Sequence, residues 1–405
     1  MQALPLKGIR VLELATVIAA PTASRVLCAY GADVVKIEKL TGDEMRRAGV
    51  TEQVICEDYK NPMFTVHNSN KKLISINLKT PEGLEIVSKL LENTDVFITN
   101  VRMASLQRMK LDYDSLKEKF PRLIYAHFAG YGPKGPEAHL PGFDSTAFWM
   151  KSGPLADWQV AGSRPMKPSY GFGDMATSSA FVSGILMAIL GRQQTGKGTL
   201  VRTSLYASGI WCNSSGVVSA QPPFEKELRP DPKCPPDPFA FHYLCKDGEW
   251  FGIFCNEYAQ DYMKIAKILG IEKLYEDERY RDLRLLHSSG EIEHLVEAVN
   301  EAFLQKGSRE WYRIFNENNV ACQLVCRAKD VYKDPQALEN NYMERVTFAD
   351  GVTAVLPNPP IAFSNFSRRE YEPTGKIGEH TDEILTSLGY TASTIESLKK
   401  NNAIR

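Results

Sequence analysis

Asp174 stands in the stretch GFGD, residues 171–174, and no further charge follows until Arg192. Two kinds of chemistry suit a lone carboxylate there. At the start of a long helix it would cap free amides and complement the helix dipole. At a glycine-rich turn it would instead be open to a substrate, because Gly171 and Gly173 put no side chain in the way. Neighbouring backbone amides could then hold a developing oxyanion, and carboxylates do serve as covalent nucleophiles. Spacing alone leaves both readings open.

Other motifs narrow the chemistry. GFGD starts like the dinucleotide fingerprint GxGxxG but lacks its third glycine and lies far from the first strand. TGKGT, residues 195–199, lacks the GxxxxGK spacing of a P-loop. The cysteines at 28, 56, 212, 234, 245, 255, 322 and 326 form no CxxC pair, and no histidine completes a zinc set around Cys322 and Cys326. We therefore expect no metal site, and free thiols in a reducing cytoplasm.

The elements that must position Asp174 follow from patterning. GIRVLEL, residues 8–14, reads as a strand that ends in the small-residue turn ATVIAAP. Helical spacing runs from Pro21 to Tyr30, and GADVVKIE then repeats the strand pattern, which makes a βαβ unit. Strands are expected at 73–78, 95–99 and 123–128. Between the first two of these, Thr80 and Pro81 open a helix. This alternation implies a parallel, Rossmann-like sheet. Further on, QPPFEKELRPDPKCPPDP reads as an extended linker. A hairpin through KDGE and helical segments over 256–315 follow. The segment from Val320 reads as strand then helix, and Asp382 and Glu383 open a last amphipathic helix.

With 405 residues the chain is long enough for two or three domains, and 48 basic against 49 acidic residues leave no cationic face for nucleic acid. The apolar N-terminal run is interrupted by Glu13, which argues against a signal peptide. The segment from Met175 to Leu190 contains Thr, Ser and Gly, so it reads as a buried helix and not a membrane span.

Taken in order, LKGIRVLELATVIAAP, GADVVKIEK, NSNKKLISINLKTPEG, DVFITNVRMASLQRMKLDYDSL, YAHFAGYGPKGP, GFGD, GRQQTGKGTLVRTSLYAS and GEHTDEIL resemble the family III CoA-transferases, also called the CaiB–BaiF family. The resemblance spans nearly the whole chain. It implies an α/β fold with a Rossmann-like, parallel-sheet large domain and a smaller α/β domain joined by long linkers, in an interlocked homodimer. The corresponding ranges are 1–207 for the large CoA-binding part, 208–238 for a linker, 239–325 for the small domain, and 326–405 for the return linker and the rest of the large domain. It also implies a cytoplasmic enzyme without a permanently bound cofactor, using a coenzyme A thioester as substrate.

Site residues carry over by position. Asp174 matches the family's nucleophile, with Gly171 and Gly173 forming its turn and oxyanion surroundings. Val17, Ile18 and Ala19 match the pantetheine contacts. Lys39, Ile76, Lys79, Asn100 and Arg108 match further CoA-binding positions. In PGFDSTAF, residues 141–148, related racemases carry a histidine as an acid–base group where this chain has Phe143. A phenyl ring moves no proton, which disfavours racemisation. Asp144 would either hydrogen-bond in the site or start a helix. His127 is the nearest alternative base, although a strand histidine of this kind is more often a core residue. Phe143, Phe148, Trp149 and Met150 would furnish an apolar acyl pocket. The glycine-rich loop of formyl-CoA transferases has no counterpart here, which shifts the expectation to transferases acting on (R)-2-hydroxy acids, with a 2-enoyl-CoA or acyl-CoA donor. The other readings are an acyl-CoA racemase or isomerase, a transferase for carnitine, bile-acid or dicarboxylate substrates, and a non-catalytic CoA-binding protein.

Overall fold

Six strands pair in parallel in the order β3-β2-β1-β4-β5-β6, where β1 is Arg10–Leu14, β2 Asp33–Glu38, β3 Lys72–Ser75, β4 Val96–Thr99, β5 Ile124–Ala129 and β6 Leu200–Ser204. The computed structural model describes residues 3–160 and 162–405. Val11 of β1 is in register with Val34 on one side and Val96 on the other, so β1 and β4 are neighbours although two strands intervene in sequence. The chain reverses its winding direction there. In open α/β sheets that reversal leaves a crevice at the carboxyl ends of the strands.

The sheet is covered on both faces, which is why its strands read as nearly continuous apolar runs. On one face Val11, Ile98, Ala126 and Phe128 pack with helix α1 (Ala19–Ala29) and with Phe181, Ile185 and Ile189 of the long helix Phe172–Thr195. On the other, Leu12, Phe97 and Tyr125 pack with Ile86 and Leu90 of helix Pro81–Glu92 and with Ile384 and Leu398 near the C-terminus. Thr80 caps Pro81–Glu92 by accepting from the Gly83 amide at 3.1 Å, as its sequence predicts. Phe172–Thr195 is long and apolar enough to cross a membrane by length and composition. Its buried side faces β5, β6 and α1, so that composition serves the core.

The chain forms two compact units. The first comprises Met1–Leu155, Lys167–Lys226 and Asp334–Arg405, and the second Ala156–Met166 and Glu227–Lys333. The second unit is built on the antiparallel strands β7 (His242–Leu244), β8 (Trp250–Phe254) and β9 (Ala321–Leu324), with helices Tyr258–Leu269, Ile292–Phe303 and Ser308–Glu317. Its core is aromatic: Tyr243 stacks on Phe303 at 5.0 Å, and Trp311 adjoins the same ring. The returning segment adds the hairpin β10 (Met343–Thr347) and β11 (Thr353–Pro357) to the first unit.

Three details differ from expectation. The strand at 73–78 ends at Ser75. Part of the expected linker 208–238 is helical, in Leu205–Cys212 and Ser214–Ser219. Residues 156–166 join the second unit through contacts distant in sequence, for which the sequence carries no local signal.

Candidate active site

The first glycine of GFGD, Gly171, precedes the long helix with φ of +73°, a conformation other L-residues adopt only at a cost. A Cβ there would also lie 2.5 Å from Ile18 Cδ1. The second, Gly173, is forced by space. A Cβ there would meet the Phe148 ring at 2.3 Å and Asp144 Oδ1 at 2.4 Å. Asp174 is therefore delivered at the third position of a helix whose first turn is in contact with two other segments.

Asp174 does not cap this helix. Its amide donates to Asp144 Oδ1 at 3.0 Å, and Asp144 also accepts from the Gly173 amide. Asp144 begins the π-helical turn Asp144–Met150, so the cap arrives from a separate element. Asp144 thus both starts a helical turn and accepts hydrogen bonds from the backbone of GFGD. Among the described residues, no hydrogen bond reaches the Asp174 carboxylate, which is about nine-tenths buried. Burial, with Asp144 adding repulsion, raises its pKa from 3.8 to about 7. Burial also raises Asp144, but the amides of Asp174 and Gly173 and the Trp149 indole oppose that shift.

The turn after β1 faces Asp174. Thr16 is held at both ends by Asn100: the Thr16 amide donates to Asn100 Oδ1 at 3.1 Å, and Asn100 Nδ2 donates to the Thr16 carbonyl at 2.8 Å. Helix α1 then starts at Ala19 without a side-chain cap, which leaves the Ala19 amide at the cavity wall without an intrahelical partner and available to an anion. Thr16, Val17, Ile18, Ala19 and Asp174 line one cavity of about 800 Å³, together with Asn100, Phe143 and Asp144. It lies at the carboxyl ends of β1, β4 and β5, the crevice that the strand order creates.

Arg102, Arg108 and Arg202 line the same cavity and give it cations for phosphate or carboxylate groups. Arg108 was anticipated. Arg102 and Arg202 were not, although Arg102 lies two residues from Asn100 and Arg202 stands in the strand LVRTS, residues 200–204. His127 also lines the cavity, with Nε2 3.1 Å from the Val101 carbonyl. Burial lowers its pKa, and its Nε2 is engaged with backbone.

Other anticipated positions fall elsewhere. Lys39 is half-exposed and ion-paired with Glu44, and it does not line the cavity. Lys79 is exposed and Ile76 is buried, and neither lines it. These three follow the ends of β2 and β3, on the same edge of the sheet but displaced by one and two strand spacings, about 5 and 10 Å. Phe148 and Trp149 are corrected from pocket to core: both are buried in the cluster beneath the long helix. With Ala147 they form a run of three consecutive buried residues that ends at exposed Met150, and their apolar character alone did not distinguish core from pocket.

The model of the family described as CoA-transferase family III matches residues 6–381. The (R)-2-hydroxy-4-methylpentanoate CoA-transferase of Clostridioides difficile is 37% identical over 99% of both chains. The cinnamoyl-CoA:phenyllactate CoA-transferase of Clostridium sporogenes is 32% identical over 98% of this chain and 96% of that one. Among solved structures, a CAIB/BAIF family protein from Brucella suis superposes with a TM-score of 0.80 at 27% identity, covering 96% of this chain and 100% of that one.

Proposed function

The chain belongs to CoA-transferase family III, and from that premise we propose that it moves CoA from an acyl-CoA or 2-enoyl-CoA to an (R)-2-hydroxy carboxylate through covalent adducts on Asp174. One observation carries the nucleophile: Asp174 is buried at a cavity wall, accepts no hydrogen bond among the described residues, and has its expected capping role filled by Asp144. A carboxylate serving only the helix would accept those amides itself.

In the proposed cycle, ionised Asp174 attacks the donor thioester carbonyl and the C–S bond breaks. A mixed anhydride and CoA thiolate result. The thiolate attacks the aspartyl carbonyl, which releases the donor acid and leaves an aspartyl-CoA thioester. The acceptor carboxylate attacks that thioester, and the freed thiolate then takes the acceptor acyl group, regenerating Asp174. No net proton, water or electron is consumed. The uncapped start of α1 is suited to the oxyanion of each tetrahedral intermediate. Arg102, Arg108 and Arg202 supply charge for the nucleotide of CoA, whose remote binding holds the thiolate near the aspartyl carbon between steps.

The acceptor class rests on the two relatives named for 2-hydroxy acids and on Phe143, an exposed ring on the cavity wall without a proton to give. The proposal extends to a homodimer, supported by the uncovered apolar residues Met187 and Leu190 of the long helix and Trp211 and Phe224 beyond it. A mass-spectrometric CoA-transfer screen tests the substrate reading, pairing several acyl-CoA donors with 2-hydroxy, simple monocarboxylic and dicarboxylic acids. 2-Hydroxyisocaproate or phenyllactate should give the highest kcat/KM among acceptors, with lactate working less well. A series led by oxalate or succinate would move the protein to a dicarboxylate specificity.

A further inference from the structure

Val17 is the one β-branched residue with a positive φ among the described residues, at +70°. The other non-glycine residues in that region are Gln53, Lys110, Glu225 and four asparagines. A β-branched side chain resists this conformation, so something must hold it. Its amide donates to Asp43 Oδ1 at 3.1 Å. Asp43 Oδ2 in turn lies 2.8 Å from Lys36 Nζ, with both side chains fully buried. The same Lys36 donates to the Ala15 carbonyl at 2.8 Å and pairs with buried Glu13 at 2.7 Å. Lys71 completes the set on Glu13 at 2.7 Å.

The clamp is itself fixed. Asp43 accepts from the Met45 amide at 2.9 Å, and its own amide donates to Glu38 Oε1 at 3.1 Å. Buried ion pairs of this kind are a poor way to gain stability, because desolvation offsets their attraction. Their geometry has a different consequence: with Asn100 on Thr16, three consecutive residues, Ala15 to Val17, have backbone groups held by three side chains from other parts of the first unit. The residue after the strained one is Ile18, which packs against Gly171 beside Asp174 and precedes the uncapped start of α1.

We propose that Asp43, backed by Lys36, is a positioning residue: it locks Val17 in the left-handed region and thereby sets the start of α1 against Asp174 for the transfer reaction. This rests on the functional reading above. Asp43 touches no reacting atom, so its effect belongs on kcat. Asp43→Ala should lower kcat about tenfold or more in a protein that still unfolds cooperatively. Against a Val17→Gly background the loss caused by Asp43→Ala should be much smaller, since glycine adopts φ near +70° without the strain that the clamp must offset. Asp43→Asn keeps an oxygen for the Val17 amide and should also recover most of kcat, while losing thermal stability with the Lys36 ion pair. Wild-type protein devoid of CoA transfer would end the functional reading, not this one, and the Ala15–Ile18 segment would then be compared by amide hydrogen exchange in Asp43→Ala and Asp43→Asn. Faster exchange only in Asp43→Ala supports the clamp. Equal kcat in Asp43→Ala and wild type, an undiminished loss in the Val17→Gly background, or Asp43→Asn falling as far as Asp43→Ala would overturn it. Should Asp43→Ala not fold, the Asp43→Asn arm alone decides, since a purely electrostatic role predicts its kcat to collapse.

Discussion

Replacing Asp174 by Asn should stabilise the free protein, and the gain should depend on pH. The carboxyl is about nine-tenths buried and its pKa stands at about 7 against 3.8 for the unperturbed group, with burial the main cause and Asp144 the second. The rise from 3.8 to about 7 corresponds to a ceiling of about 4 kcal/mol, at ~1.4 kcal/mol for each tenfold change in proton affinity. Because the carboxylate opens onto a cavity, about 2–3 kcal/mol is the expected share. The sign follows from proton counting. Between about pH 4 and pH 7 the unfolded chain has released this proton and the folded chain still holds it, so wild-type stability falls as pH rises through that window. Asn does not titrate. Its advantage should therefore be small near pH 4.5, grow up to about pH 7, and level off above. Urea unfolding of both proteins from pH 4.5 to 8.5 measures this directly. A stability difference that stays flat or shrinks with rising pH would show that Asp174 is not held in an environment hostile to its charge.

Asp144→Asn keeps an oxygen for the amides of Gly173 and Asp174 but removes the neighbouring charge that raises the Asp174 pKa. The acid limb of the kcat/KM–pH profile should move to lower pH, and an unmoved limb would dismiss Asp144 as an electrostatic partner. Gly173→Ala would place a methyl 2.3 Å from the Phe148 ring; it should cost about 1–3 kcal/mol by overpacking and reduce activity by displacing Asp174, an expectation refuted by wild-type Tm and turnover. Arg108→Ala should raise KM for the CoA ester by about 1–3 kcal/mol equivalents, because Arg108 lines the cavity. Lys39→Ala, at a residue already paired with Glu44 outside the cavity, should change KM less, and the reverse ranking would place the nucleotide along β2 and β3.

Much of the scaffold was legible because it is local. The apolar runs of β1, β2 and β4, the Thr80 cap and the positive-φ turn at Gly171 each obey a rule of short range. What escaped is long-range. Glu13 registers in the sequence only as an interruption of an apolar run, yet in the fold it is the hub that joins Lys36 and Lys71. The cap supplied by Asp144 lies thirty residues from the amide it binds, so local spacing left capping open as one of two readings of Asp174. Arg202 reaches the cavity only because β6 pairs with β5. Phe148 and Trp149 lie within a few residues of Phe143, and only the packing of the long helix separates core from cavity wall.

The central claim is that Asp174 becomes covalently acylated. Wild-type protein should be incubated with an acyl-CoA donor, quenched with hydroxylamine, digested, and mapped by tandem mass spectrometry. Both the proposed anhydride and the aspartyl-CoA thioester would leave a hydroxamate on the Asp174 side chain. The modification should require the donor, fall on the peptide carrying GFGD, and be absent from Asp174→Asn. Robust CoA transfer with an unmodified Asp174 under these conditions, or undiminished turnover in Asp174→Ala, would contradict the account.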